Sequence, residues 1–133
     1  MRILMISQHY EARASGYALQ CMDAACGLVE RGHRVCVATS LPRGRRVDRG
    51  VEVRGVLRCR EVVEYQTPSL CHVVRYLRDE RVFRKNGAAV AAVARAFVPD
   101  VVFFWQFWEL GPQVVQRLAA RGLPLVLNVG DIF

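Results

Sequence analysis

Ser15 and Gly16 stand at the end of a polar loop, where a run of small and apolar residues at helical spacing begins. Backbone N–H groups at a helix start are unpaired and carry the positive end of the helix dipole. The pair could therefore hold a phosphate, with Gly16 allowing close approach, although Ser-Gly is equally an ordinary helix cap. His9, in the same loop, has an imidazole that could act on a hydroxyl; its plainer reading is a polar loop residue. Trp105-Gln106-Phe107-Trp108-Glu109 follows a second apolar run. Aromatic faces beside polar groups suit stacking on a sugar, and they equally suit core packing or the lid of an interface. Glu109 has the chemistry of a general base or of a cap for the next helix. His33 falls at the opposite end of the strands, where its role is structural, and His72 is flanked by apolar helix residues.

Familiar phosphate and nucleophile motifs are absent. No G-x-G-x-x-G follows the first apolar run, which argues against a nicotinamide or flavin dehydrogenase, and no G-x-x-x-x-G-K-[ST] exists for a P-loop. Ser7-Gln8-His9 stands where a phosphorylated receiver would carry acidic residues, and no G-x-S-x-G elbow is present. The five cysteines, Cys21, Cys26, Cys36, Cys59 and Cys71, include no C-x-x-C pair and no histidine at zinc-finger spacing, so buried reduced thiols are expected.

The elements that must position these residues follow from length and pattern. A chain of 133 residues suits one domain, 1–133, and 53% hydrophobic content is well above what disorder requires. Residues 2–6 are an apolar run of strand length. Residues 16–31 carry Ala18, Cys21, Met22, Ala25, Leu28 and Val29 on one helical face, stopped by Gly32, and 34–39 is a second apolar strand. An Arg-rich loop with Pro42, Gly44 and Gly50 leads to 51–57, whose alternation of Val51, Val53 and Leu57 with Glu52 and Arg54 predicts a strand with one wet face near a sheet edge. A helical pattern runs from Pro68 to Phe97, with Thr67 as cap and a break or kink expected at Asn86-Gly87. A strand over 101–105, a helix over 112–121 and a strand over 125–129 complete the chain.

This order of elements predicts an α/β fold: a Rossmann-like open, mostly parallel sheet with helices on both faces. Ligands of such sheets sit beyond the carboxyl ends of the strands, near the point where strand order reverses. The rule selects the loops after strand one, after Trp105 and after Val129. The first spans about nine residues, longer than the roughly two to six usual for a strand-to-helix turn.

Three stretches read together carry a resemblance. Arg2-Ile3-Leu4-Met5-Ile6-Ser7-Gln8-His9-Tyr10, the segment from Gly27 through Arg31-Gly32-His33 to Thr39, and Pro99-Asp100-Val101-Val102-Phe103-Phe104-Trp105 look like the amino-terminal domain of family-four retaining glycosyltransferases of the GT-B fold. That family's patterns are M-R-I-L, L-x-x-R-G-H-x-V-x-V-x-T, P-D-V-V-H and P-V-V-x-T-x-H-D, and the match covers the whole chain in order. The resemblance implies transfer of a sugar from a nucleotide-sugar donor to a saccharide or lipid-linked acceptor with retention. It implies no cofactor and no required metal, the nucleotide sugar being a co-substrate. Ser15 and Gly16 would then meet the donor phosphate. His9, Tyr10, Trp105, Gln106, Glu109 and Asp131 would form the acceptor side.

The donor nucleotide and the E-x7-E motif belong, in that family, to a carboxy-terminal domain missing from these 133 residues, so the chain alone is expected to be inactive and to self-associate through uncovered sheet edge. The sequence departs from the pattern at Glu11-Ala12, where the family has two prolines, and at Ser15, where it has a glycine. Gly130 replaces the histidine that contacts the donor sugar, while Asp131 is retained, in a position that also suits a cap. These departures keep open a non-catalytic ligand-binding or split-subunit module derived from the same fold.

The net charge of +7 is almost all arginine, Lys85 being the single lysine, a bias that genome composition can produce; nucleic acid is not an expected partner. Arg75, Arg78, Arg81, Arg84 and Lys85 share much of one helical side, which could meet anionic lipid or simply be solvated. No apolar run reaches the ~18 residues of a membrane span, and the amino-terminal run lacks a cleavage site. The expected location is the cytoplasm, with peripheral contact at the inner face of the membrane left open as an alternative.

Overall fold

The amino-terminal apolar run forms β1 (Arg2–Ser7), and alternate residues along it feed two different cores. Ile3 and Met5 share one core with Cys21 and Ala25 of α1 (Gly16–Glu30). Leu4 and Ile6 share the other with Val90 and Ala94 of α2 (Cys71–Phe97) and Val114 and Leu118 of α3 (Gln113–Ala119). The same division continues in β2 (Arg34–Thr39), where Val35 and Val37 face the α1 core and Cys36 and Ala38 the other. A strand sandwiched between helix layers has to be apolar at every position, which is why these runs do not alternate. The computed structural model describes residues 1–11, 15–60 and 71–128.

The remaining strands are β3 (Gly44–Asp48), β4 (Val51–Gly55), β5 (Val101–Gln106) and β6 (Leu125–Leu127), giving one sheet of order β3-β4-β2-β1-β5-β6. All neighbours are parallel except β3, which is antiparallel to β4. The chain leaves β1 toward β2 on one side and returns in β5 on the other, so strand order reverses at β1. The fold is the expected Rossmann-like open sheet with helices on both faces, and the rule for such sheets selects the crevice beyond β1 and β5 as the place for a ligand.

Three expectations are corrected. The Arg-rich segment read as a loop is the edge strand β3, joined to β4 by a two-residue turn, Arg49-Gly50, with φ of 46° and 82°. Positive φ at both positions is the geometry of a tight hairpin, whose twist matches the strands. The strand with one wet face therefore lies one position in from the edge, and β3 exposes its first four residues, blunting that edge with Arg45 and Arg46. Of the break or kink expected at Asn86-Gly87, the break is absent: the helix is continuous over 27 residues. Asn86 is buried: its amide nitrogen donates to the carbonyls of Arg58 (2.7 Å) and Leu110 (2.9 Å), and its oxygen accepts from the Arg58 N–H at 2.9 Å. Beside it, a Cβ on Gly87 would lie 3.0 Å from the Gln113 carbonyl oxygen, so the missing side chain lets α2 and α3 approach. The third helix and last strand are shorter than the expected 112–121 and 125–129. The Thr67 and Pro68 cap and Val129 lie outside the described residues.

Ser15 caps α1 in extended conformation, its hydroxyl accepting from the Ala18 N–H at 3.1 Å, and Gly32, with φ of 83°, follows the helix end. Cys21, Cys26, Cys36 and Cys59 are free thiols. Burial pushes Cys21 and Cys36 up to about 12, which keeps them protonated and unreactive. No helix among the described residues is long and apolar enough to cross a membrane.

At the amino ends of the strands, Asp100 accepts from the Arg2 N–H at 2.6 Å and pairs with its guanidinium at 3.6 Å. The backbone hydrogen bond, followed by the Arg2 charge, holds the carboxyl below its ordinary value of 3.8. A folded-state value below the unfolded one gives a contribution present above that range and lost as the pH falls through it. Asp100→Asn should therefore flatten the acid limb of the stability profile below about pH 4, with a small effect at neutrality because the carboxylate is exposed. Urea titrations at pH 3 and pH 7 would check this; an unchanged acid limb would contradict it.

Candidate functional site

The floor of the crevice is a set of buried polar residues where β1 and β2 end. Ser7, Gln8, Thr39 and Ser40 are all buried. The Gln8 carbonyl accepts from the Thr39 hydroxyl, the Ser40 N–H and the Ser40 hydroxyl, and the Ser7 hydroxyl donates to the His9 carbonyl at 2.8 Å. His9 and Leu41 then form an isolated parallel bridge, and the Tyr10 N–H donates to the Leu41 carbonyl at 2.8 Å. The loop after β1 is thus pinned by backbone bonds on both sides, which fixes His9 over the ends of the strands.

β5 reaches the same edge with an irregularity. Its register against β1 runs Ile6 to Phe104 and then Ser7 to Gln106, so Trp105 is an extra residue in a bulge. Bulges re-aim side chains, and the Trp105 indole N–H donates to the Tyr17 carbonyl at 3.1 Å, in the first turn of α1. This contact joins the helix start to the end of β5. Between them opens a cleft of about 410 Å³ lined by Gly16, Tyr17, Gln20, Trp105 and Asn128. A Cβ on Gly16 would meet no atom of the described residues within 4 Å, and the first turn of α1 holds no acidic residue. Among the described residues the positive helix end therefore has free space beside it and no carboxylate in its own first turn, a setting that suits a phosphate or another anion.

A second constellation lies at the same sheet edge. His9 after β1, Cys59 after β4 and Glu109 after β5 are each half-buried, with potential ligand atoms all within 4.8 Å of one another. The Ser40 hydroxyl lies 3.2 Å from His9 Nδ1 and 3.3 Å from Cys59 Sγ. Burial raises the Cys59 thiol and the Glu109 carboxylate adds to the rise, partly offset by the hydrogen bond to Ser40.

The residues singled out from the sequence therefore divide. Gly16 and Trp105 line the cleft, Ser15 precedes Gly16 as the α1 cap without lining it, and His9 and Glu109 meet in the cluster. Tyr10 is fully buried in the α1 core, with its hydroxyl unpartnered among the described residues and its ionisation suppressed chiefly by burial. Gln106 ends β5 with its carbonyl accepting from the Gln8 N–H at 2.8 Å, and its side-chain oxygen is buried with no partner among the described residues. Glu109 sits in a short 3-10 helix (Trp108–Leu110) and does not cap α3, whose start follows Pro112 with no side-chain cap. Trp108 is exposed and stacks on Phe107 at 5.5 Å. His33 lies at the amino end of β2, 3.5 Å from the amino terminus. Gly130 and Asp131 lie outside the described residues, as does the side chain of His72.

Sequence reasoning assigned no role to Tyr17, Gln20, Asn128 or the pairing of Cys59 with His9. Gln20 had a usable signal, lying four residues after Gly16 and so above it on the same helix face. Cys59 had none, since its partners are about fifty residues away on either side.

A doubly wound α/β sheet with its crevice at the switch point is a Rossmann-like architecture. Among solved structures it is similar to SsfS6, a glycosyltransferase of Streptomyces sp. SF2575, with a TM-score of 0.52 over 96% of the chain at 18% identity. The chain spans 38% of the length of that protein. No protein-family description matches the sequence, and no curated protein matches it significantly.

Proposed function

We propose that the chain is the acceptor-side domain of a GT-B glycosyltransferase that moves a sugar from a nucleotide-sugar donor to a saccharide or lipid-linked acceptor with retention. The observation that carries the reading is the cleft between the α1 start and the bulged Trp105, at the switch point of a glycosyltransferase-like fold. Gly16 and the α1 amides offer a site for the leaving diphosphate, whose growing charge a helix terminus stabilises without reorganising. The Ser15 hydroxyl accepts within the cap, and its proton remains able to donate to an anion. Trp105 offers an aromatic wall for a sugar ring, and Asn128 and Gln20 can hydrogen-bond its hydroxyls. A second domain would supply the remaining donor contacts and the carboxylates of E-x7-E. Retention comes from the sequence resemblance.

Gly130, where that family has a histidine, favours one alternative: a non-catalytic module of the same ancestry. Turnover of a panel of nucleotide sugars by the protein carrying its donor domain separates the two. Transfer with retained anomeric configuration supports the enzyme; a folded protein that binds but transfers to no acceptor supports the module.

The lipid-linked acceptor has its own observable. At the start of α2, Val74, Tyr76 and Leu77 are 69%, 70% and 60% exposed, and Arg81, Arg84 and Lys85 are exposed further along the helix. Apolar and basic side chains together suit an interfacial helix on anionic lipid. The chain should sediment with phosphatidylglycerol vesicles, should not sediment with phosphatidylcholine vesicles, and should lose binding severalfold in Arg81→Glu/Arg84→Glu. Equal binding to both vesicles would contradict the membrane reading.

A further inference from the structure

We infer that His9, Cys59 and Glu109 form a three-ligand site for a divalent transition-metal cation of the Zn2+ class. The inference is independent of the sugar-transfer reading and places no metal in the transfer step. Its basis is convergence: loops following β1, β4 and β5 deliver one nitrogen, one sulfur and one oxygen donor to within 4.8 Å of one another. Tetrahedral Zn2+ with bonds of about 2.0–2.3 Å sets its ligands about 3.3–3.8 Å apart, so side-chain rotations of about 1 Å would close the set.

The donor chemistry selects the ion. Ca2+ and Mg2+ take oxygen ligands, whereas a sulfur donor beside an imidazole suits Zn2+ and its neighbours. Binding releases the Cys59 proton to solvent, and the thiolate and the Glu109 carboxylate together match the +2 charge, leaving a neutral set suited to a half-buried position. Three protein ligands leave a fourth position for water. Ser40 stands as the orienting group outside the ligands: its oxygen can accept from His9 Nδ1–H at 3.2 Å, and when the Cys59 thiol, which donates to it at 3.3 Å, gives up its proton, the Ser40 hydroxyl can turn from the Gln8 carbonyl to donate to the thiolate. A ligating imidazole is ordinarily held in this way through one nitrogen, with the other available to the ion. Because β2 supplies Ser40, four adjacent strands contribute to the site, and a bound cation would tie their loops together.

Titrating the intact chain with Co2+ and then Zn2+ tests the inference. The expected result is one Co2+ per chain with a thiolate-to-cobalt charge-transfer band, lost on adding one equivalent of Zn2+, and a melting temperature raised by Zn2+. Cys59→Ser should abolish the band and weaken binding more than about 100-fold, Glu109→Gln should weaken it, and Ser40→Ala should weaken it about tenfold as a residue outside the ligand set. Cys21→Ser, a buried thiol in the other core, should leave band and affinity unchanged. Far-ultraviolet circular dichroism of each variant establishes folding. Absence of a thiolate band, or equal affinity in folded Cys59→Ser, would overturn the site.

Discussion

Gly55→Ala is expected to cost the chain about 3 kcal/mol, the upper range for forcing extra atoms into a packed structure. A Cβ at Gly55 would run into the Pro42 carbonyl oxygen and lie 2.6 Å from Arg43 Cα and 2.7 Å from the Pro42 carbonyl carbon. All three are backbone atoms, so no side-chain rotation relieves the clash. The only relief is to lift the segment between β2 and β3 away from the end of β4. With a urea dependence of about 1–2 kcal/mol per molar, the midpoint should fall by about 2 M; a shift under about 0.3 M would contradict the close crossing. Function should suffer too. The displaced segment contains Ser40 and Leu41, which hold His9 and the loop after β1. One methyl group remote from the cleft would thus loosen the crevice floor, and the Ser40→Ala variant would not reproduce that loss of stability.

On the proposed glycosyltransferase reading, Trp105→Ala in the protein carrying its donor domain should lower sugar transfer about 100-fold, equivalent to about 2.7 kcal/mol of transition-state stabilisation. Two contributions are removed at once. The indole face that walls the cleft disappears, and so does the hydrogen bond to the Tyr17 carbonyl that fixes the spacing between β5 and α1. Trp105→Phe separates them, because it keeps a ring, and with it the edge-to-face packing on Phe103 at 5.6 Å, but loses the N–H. It should fall only about tenfold. A wall that binds the acceptor predicts the loss mainly in KM; a wall that aligns reacting groups predicts it in kcat. Unchanged transfer in folded Trp105→Ala would remove this residue from the site.

What the sequence reveals of this fold depends on how locally each element is determined. β1, β2 and β5 are legible because a strand covered by helices on both faces must be apolar throughout, and α1 because its buried stripe, Ser15 cap and Gly32 stop are all local. β3 is illegible for the opposite reason. Gly44-Arg45-Arg46-Val47-Asp48 has no apolar face, and it is a strand only because β4 supplies hydrogen-bond partners. Asn86-Gly87 shows tertiary structure overriding propensity: the pair that most often marks a turn is here kept helical, Asn86 satisfying three backbone groups and Gly87 admitting α3.

The candidate site shows the same division. The rule that ligands bind beyond the carboxyl ends of parallel strands selected the loops holding His9, Gly16 and Trp105 without any coordinate. It could not show that Trp105 occupies a bulge, because a bulge is a relation between two strands. Nor could it separate Tyr10 from His9, neighbours in one loop, of which one enters the core and the other reaches Ser40. The link between Cys59 and its partners depends on four loops folding over one edge.

The most direct test of the central claim is a titration of the isotope-labelled chain with nucleoside diphosphate sugars and, separately, with saccharide acceptors, followed by backbone and indole N–H resonances. The account predicts saturable shifts at Gly16 for the nucleotide and at Gln20, the Trp105 indole and Asn128 for the saccharide, with the α2–α3 interface unmoved. No shift at about 10 mM ligand, an affinity below about 2.7 kcal/mol, or shifts confined to a surface away from the α1 start, would contradict it.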